Sequence, residues 1–312
     1  CSSASSGGGG GGGSQSTVPL MDGFDPGPAP DPSQGFQIVT PMVQNVAAGA
    51  SDEYCYYTNM ILPEDTWVSS NQGIQSETGH HIVLYYTINP QPVHQHLCGN
   101  DEMGEFQFGM GAGGGAGKQK FVLPSNLAVK LPKGAQIVVN SHYLNASATP
   151  VAQAQSAIDV YYADPAVQHV ESSMMVVVDT ALTVPVGASS FSEDCTVNQT
   201  YLAWSSFPHM HNWGTHVSVT TTPASTGVPT QLFDLDWDAD YAFDFSAVAK
   251  TVDPAQPMVF NQGDKIHIQC DYLNTTGTPM TFGNEMCVFA NFVVDPNAVG
   301  NMACDGGHWG PI

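Results

Sequence analysis

Short runs of β-branched and aromatic residues, broken at close intervals by glycine, proline, asparagine and aspartate, decide what this chain can fold into. Such runs occupy 36–39, 81–88, 136–143, 158–163, 174–178, 216–222, 265–272 and 287–294, each rich in Val, Ile, Thr or Tyr. Residues of this kind fit a pleated, half-buried surface, and the intervening residues supply turns. No stretch sustains a helical period with caps. The pattern predicts an all-β protein built from antiparallel, jelly-roll-like sandwiches. The roughly 275 residues after position 35 exceed one ordinary core and suit two domains. The Asp164-Pro165 step is the expected boundary, giving domains over 36–165 and 166–312.

The N-terminal stretch cannot belong to a core. Cys1 is followed by Ser2-Ser3-Ala4-Ser5-Ser6 and seven glycines, and Pro26, Pro28, Pro30 and Pro32 alternate further on. A terminal Cys running into a Ser/Gly tract reads as a mature bacterial lipoprotein, with Cys1 lipidated and residues 1–35 a disordered, extended tether. On that reading the protein is exported and lipid-anchored to a bacterial membrane or the cell surface. Ser2 favours the outer membrane. Membrane contact is then through the lipid alone, since no apolar run reaches the length of a spanning helix.

Setting Cys1 aside leaves Cys55, Cys98, Cys195, Cys270, Cys287 and Cys304, an even number that in an exported chain reads as three disulfides. Cys270 and Cys287 flank the Thr276-Gly277-Thr278-Pro279 turn almost symmetrically and are expected to pair. The formal charge is −22, with six lysines and no arginine. Phosphate binding needs a basic surface, so nucleic acid is not an expected partner. The acidity reads as a solubilising surface, or as attraction for cations.

Three histidine windows carry the chemistry: Gly79-His80-His81-Ile82, Asn140-Ser141-His142-Tyr143 and Phe207-Pro208-His209-Met210-His211, with Met286 following in Glu285-Met286-Cys287. Imidazole is the commonest metal ligand, and a thioether selects soft Cu(I) over zinc. His209 and His211 alternate and would leave one face of a strand together. His80 and His81 are adjacent and would point to opposite faces, so both reach one ion only if the strand is distorted or if they use different ring nitrogens. His94 and His96 form a further same-face pair, read as loop or surface. His169, His216, His267 and His308 have no partner signal. Residues 109–118 are glycine-rich, but Ala112 and Gln119 stand where a phosphate loop needs Gly and Ser or Thr. That segment reads as a flexible surface loop. No His-Glu-x-x-His, no Cys between histidine ligands and no Gly-x-Ser-x-Gly appears, which argues against zinc hydrolase, blue-copper and serine-hydrolase chemistry.

In these windows the chain resembles the copper type II, ascorbate-dependent monooxygenases, the peptidylglycine α-hydroxylating and dopamine β-monooxygenase family. Matching text includes Cys55 before Ile61-Leu62-Pro63, Leu131-Pro132-Lys133-Gly134 before the His142 run, Gly263-Asp264 before Cys270 and Asn274-Thr275-Thr276-Gly277 after it. The resemblance runs over roughly residues 36 to 304. It implies two β-sandwich domains across a water-filled cleft, each holding one mononuclear copper. His80, His81 and His142 would hold an electron-transfer copper supplied by ascorbate or another small reductant. His209, His211 and Met286 would hold the catalytic, dioxygen-handling copper that hydroxylates an activated C–H bond. The resemblance also implies the pairs Cys55–Cys98 and Cys195–Cys304.

The family's peptidylglycine branch clamps a substrate carboxylate with an arginine two residues before the His-x-His pair and a tyrosine four after the methionine. Here those positions are Phe207 and Ala290. A bidentate carboxylate anchor is missing, so the expected small-molecule substrate is apolar or cationic, with Phe207 at its pocket. The alternatives are a non-catalytic copper-binding or copper-sensing surface lipoprotein, or an adhesive sandwich with incidental histidines.

Overall fold

A computed structural model describes residues 18–99, 105–113, 117–145, 147–242 and 244–312. The lipidation expected at Cys1 lies outside these residues. The fold is all-β, as the turn-punctuated runs predict: apart from two short 3-10 turns, Ala239–Ala242 and Phe245–Ala247, the described elements are strands. Each of the eight runs read from sequence coincides with a strand to within a few residues, for example Gln136–Leu144, Lys265–Asn274 and Val288–Asp295.

Three sheets, of twelve, five and four strands, make the body, with two two-stranded pairs beside them. In the first half, a five-stranded sheet runs in the order His94–Leu97, Ser51–Ile61, Gln136–Leu144, Gly79–Thr87, Gln107–Gly113. It faces strands Gly35–Val39, Ser156–Tyr162, Thr66–Gln75 and Leu127–Leu131. In the second half, Gly187–Thr196, Lys265–Asn274, Gly214–Thr222 and Thr230–Asp236 form one sheet, and Val170–Val178, Val288–Asp295 and Tyr201–His209 lie in the other.

The halves are joined more closely than a cleft between two sandwiches implies. Val170 and Glu171 pair in parallel with Leu127 and Ala128, so one sheet of each half merges into a single twelve-stranded sheet. One hydrophobic core crosses that joint: Val68, Leu84, Ile137 and Ile158 pack in the same cluster as Val176, Trp204, Phe207 and Phe292. A second core, with Met175, Val219, Ile268 and Phe289, belongs to the second half alone. Burying a side chain of this size stabilises by about 1.5–3 kcal/mol, so the shared core fixes how the two halves meet.

All three disulfides are present. Cys270–Cys287 pairs as read, for a different geometrical reason. Cys270 lies in Lys265–Asn274, whose neighbours are Gly187–Thr196 and Gly214–Thr222, and Cys287 precedes Val288–Asp295 in the opposing sheet. The bridge therefore ties two sheets rather than two strands of a hairpin. Cys195–Cys304 does the same, between Gly187–Thr196 and Met302–Asp305.

Two expectations are corrected. From residue 18 onward the spacer packs on the first half: Phe24 is buried with Ile74 and Ala157, and Gln155 accepts a hydrogen bond from Met21 N and donates to the Pro19 carbonyl. Met21 and Phe24 supply the apolar surface that a tether lacks. The segment expected to be a glycine-rich surface loop contains strands, Gln107–Gly113 and Gly117–Val122, which add to the two first-half sheets. At Gly109 an added Cβ would meet the Leu84 carbonyl at 2.8 Å, so close strand approach accounts for that glycine.

Candidate metal centre

The five window histidines converge in one place. In the first half, His142 lies opposite His81 on one side and Glu53 on the other, so three adjacent strands present their side chains on one face. His80 is the residue that register alone forbids from joining them. The pairing between Gln136–Leu144 and Gly79–Thr87 runs Ser141 to Ile82, His142 to His81, then Tyr143 to Gly79, skipping His80. His80 is thus the extra residue of a β-bulge, the device by which a strand re-aims a side chain. Its ring lies 4.7 Å from His142 and 4.9 Å from His81, centroid to centroid.

The bulge has visible supports. Gln75, itself buried, donates from Nε2 to the carbonyls of His81 (3.1 Å) and His142 (3.3 Å) and to Ser156 Oγ (3.2 Å). Gly79 leaves room for that side chain, because a Cβ there would sit 2.3 Å from Gln75 Cβ. Ser51 Oγ lies 2.9 Å from His142 Nε2, leaving Nδ1 of His142 buried with no hydrogen-bond partner.

The second-half ligands stand at the end of a strand rather than within one. Tyr201–His209 stops at His209, and His211 follows in a turn. Between them Met210 is fully buried in the second core, which points the two histidines the other way, with ring centroids 5.1 Å apart. Met286 likewise lies outside a strand, in the link before Val288–Asp295. The pairing of His209 with Val288 brings that link alongside His211. Asn284 accepts a hydrogen bond from His211 Nδ1 (3.2 Å), and Tyr272 Oη donates to the Met286 carbonyl (3.0 Å). With Nδ1–H engaged, His211 Nε2 is buried without a partner.

Glu285 organises this turn. Its carboxylate is fully buried and accepts three backbone N–H groups: His211 (2.5 Å), Trp213 (3.0 Å) and its neighbour Met286 (3.0 Å). Burial pushes its pKa up to about 7, against the downward pull of the three donors. Sequence reasoning missed Glu285, although it stands directly before Met286. Its burial and its backbone partners are set by the fold, so the sequence carries no signal of this role.

The wide, water-filled separation implied by the family is not found. The His80 ring lies 5.3 Å from His211, and His142 lies 5.8 Å from it. Ligand nitrogens of His80, His142 and His211 fall within 4.8 Å of one another, as do those of His81 and His142 with a Glu53 oxygen. Desolvation by burial depresses the pKa of all five imidazoles, repulsion between the rings adds to this for His80, His142, His209 and His211, Glu53 opposes it at His81, and His211 falls to about 4. At neutral pH they are uncharged and carry lone pairs, the state a metal requires. Five neutral imidazoles, with two buried nitrogens that no protein group satisfies, fit a metal of the imidazole-binding class, copper included.

The remaining histidines stay apart from this cluster. His94 and His96 lie on an edge strand, stacked on each other at 4.8 Å and on Tyr57 at 4.9 and 6.1 Å. His216 contacts Asp234, and His267 contacts Asp194. Phe207 is buried in the shared core and stacks on Phe245 at 4.5 Å.

No protein-family model matches the chain, and no curated protein does. Among solved structures, the major capsid protein P2 from bacteriophage PM2 is similar at 9% identity and a TM-score of 0.32, over 83% of this chain and 97% of that one. PNGase F, a glycosylasparaginase from Flavobacterium meningosepticum, is similar at 11% identity and 0.33, over 84% and 96%. Likeness this distant carries no argument about the chemistry of the cluster.

Proposed function

We propose that this protein is a copper-dependent monooxygenase that hydroxylates an activated C–H bond using dioxygen and a one-electron reductant such as ascorbate. The observation that carries the reading is the convergence of His80, His81, His142, His209 and His211, from windows up to 131 positions apart, with His142 Nδ1 and His211 Nε2 buried without a hydrogen-bond partner. His80, His81 and His142 would hold one copper, and His209, His211 and Met286 the other. Copper, when bound, supplies one-electron redox chemistry and dioxygen activation.

The chain's own residues do the rest. The bulge at His80 and the Gln75 side chain orient the first set. Glu285 and the Asn284 carbonyl fix the backbone and the tautomer of His211, so Nε2 is the nitrogen presented. Burial holds the imidazoles neutral and keeps bulk water from competing for them. Missing arginine and the acidic surface favour an apolar or cationic substrate, such as a phenylethylamine-like molecule, over a carboxylate-anchored one.

The test is copper content together with ascorbate-dependent oxygen uptake in the presence of candidate amines. Two coppers per chain with substrate-coupled uptake support the proposal. The close approach of His80 to His211 and the packed aromatic core at Phe207 favour a second reading, a copper-binding or copper-sensing protein without turnover. Two coppers with no coupled uptake would select it, and no copper would sink both.

A further inference from the structure

Glu53 has no place in the ligand set carried over from the family, yet it stands beside that set. It pairs with His142 across the sheet, on the strand flanking the side opposite His81, and its side chain is half-buried. A carboxylate oxygen of Glu53 and ring nitrogens of His81 and His142 lie within 4.8 Å of one another. The chain contains no arginine, and among the described residues no lysine forms an ion pair with Glu53. Its hydrogen-bond partner is the Asn140 amide, which donates to Oε2 at 2.9 Å from a fully buried position. That contact orients the carboxylate without neutralising it. A half-buried carboxylate with no cationic side chain beside it is partly desolvated without a counter-charge. A cation at this point supplies the missing charge, and an oriented carboxylate with two imidazoles is a donor set that metals of this class accept.

We propose that Glu53 is a further ligand of the first-half copper, adding a carboxylate, next to His81 and His142, to the three imidazoles of that site. The proposal rests on the copper reading above and deepens it. A hard, anionic oxygen favours Cu(II), whereas a thioether favours Cu(I). Glu53 on one centre and Met286 on the other therefore set the two sites apart in potential, the first lower than the second. That is the direction an electron entering at the first-half site has to travel.

The experiment compares the parent protein and Glu53→Gln, each loaded with copper. Read for each are Cu(II) and Cu(I) affinities by competition with chelators, the Cu(II) EPR spectrum and the reduction potential of each site. In Glu53→Gln, Cu(II) affinity at the first-half site is expected to fall at least about tenfold, as loss of a ligand or its support does. Cu(I) affinity should change little, so the site's potential rises by about 59 mV for each factor of ten. The Cu–S signature of the Met286 site should not move.

A parent that takes up no copper sinks the copper reading itself. A parent with two coppers whose Glu53→Gln form keeps parental Cu(II) affinity, EPR and potential overturns the Glu53 assignment alone. Should Glu53→Gln fail to fold, Glu53→Asp, which keeps the charge and shortens the reach, takes its place in the same measurements. In either variant, weakened Cu(II) with unchanged Cu(I) binding supports the assignment, and parental values overturn it.

Discussion

A single methyl group at position 79 should disturb the metal centre more than its size suggests. Gly79 closes the turn that begins at Ser76, through its N–H to the Ser76 carbonyl (3.0 Å), and the bulge at His80 follows it at once. In Gly79→Ala the new Cβ would stand 2.3 Å from Gln75 Cβ, 3.0 Å from Gln75 Cδ and 3.0 Å from the Ser76 carbonyl oxygen. Two carbons at 2.3 Å must separate by more than 1 Å, and neither can swing away, because both are Cβ atoms fixed to backbone. Either the turn shifts, carrying His80 with it, or the strand under Gln75 gives and its three hydrogen bonds to His81, His142 and Ser156 weaken. Overpacking of this kind costs about 1–3 kcal/mol, and each lost neutral hydrogen bond about 1 kcal/mol. The two routes are alternatives more than a sum, so we expect a loss of about 2–4 kcal/mol. Chemical denaturation with a fixed m-value reads that loss, and copper titration reads the rest. Copper bound by His80, His81 and His142 should weaken while the His209, His211 and Met286 site keeps its affinity. A variant within about 0.5 kcal/mol of the parent, with both affinities intact, would refute the account of Gly79 and of the bulge it supports.

Other predictions test the second half. In Met286→Ile, a near-isosteric apolar exchange costing under about 1.5 kcal/mol, Cu(I) affinity at the His209/His211 site should drop and the Cu–S contribution to X-ray absorption should vanish; a parent lacking that contribution removes Met286 from the ligand set. The apoprotein should lose stability on acidification. The cluster imidazoles have folded pKa values below their unfolded value of 6.5, so the unfolded chain binds more protons once the pH falls below about 6.5. For His211, at about 4, the loss approaches about 3 kcal/mol by pH 4. The difference in acid unfolding between the parent and His211→Gln isolates this share, and no difference would mean that His211 protonates without cost. Finally, removing the Cys270–Cys287 bridge, which spans 17 residues, should cost about 3 kcal/mol by the loop-entropy estimate. Destabilisation under about 1 kcal/mol in denaturation of the double Cys→Ser variant would show that the two sheets hold the Met286 link without it.

Much of this was legible in the sequence because it depends on period and turn chemistry. Alternating β-branched runs set off by Gly, Pro, Asn and Asp mark strands wherever one face is buried, and the runs at 136–143 and 265–272 appear as strands with nearly the same ends. What escaped depends on contacts between distant segments. Cys270 and Cys287 could be paired from the turn between them, but nothing local shows that their strands belong to opposing sheets. The glycines at 109–113 look like a loop because glycine lowers strand propensity. At Gly109 the reason is a neighbour, the Leu84 carbonyl, contributed from some 25 positions upstream. The adjacent histidines at 80 and 81 posed a conflict that sequence could state but not resolve, since a bulge is a property of two paired strands. Glu53, Gln75 and Glu285 were invisible for the same reason, as each acts on a partner reached only through the fold.

The two half-sites reach the same end by different local means. In the first half the ligands sit inside a finished sheet, so the strand must be deformed to present two adjacent side chains, and the bulge does this at a fixed point between His142 and Tyr143. In the second half the ligands sit beyond a strand end, where no ladder holds the backbone, and a buried side chain takes over. Glu285 engages the N–H groups of His211, Trp213 and Met286 at once, which ties the histidine turn to the link carrying the methionine. Orphaned buried N–H groups cost about 1–3 kcal/mol each, so this one carboxylate replaces the hydrogen bonds a strand would have supplied. The same logic explains why burial does not push the acid to neutrality outright: three donors face it, and a protonated carboxyl would turn an acceptor into a fourth. A bulge in one half and a buried acid in the other are therefore equivalent solutions to one problem, holding imidazoles rigidly where regular β-structure would not place them.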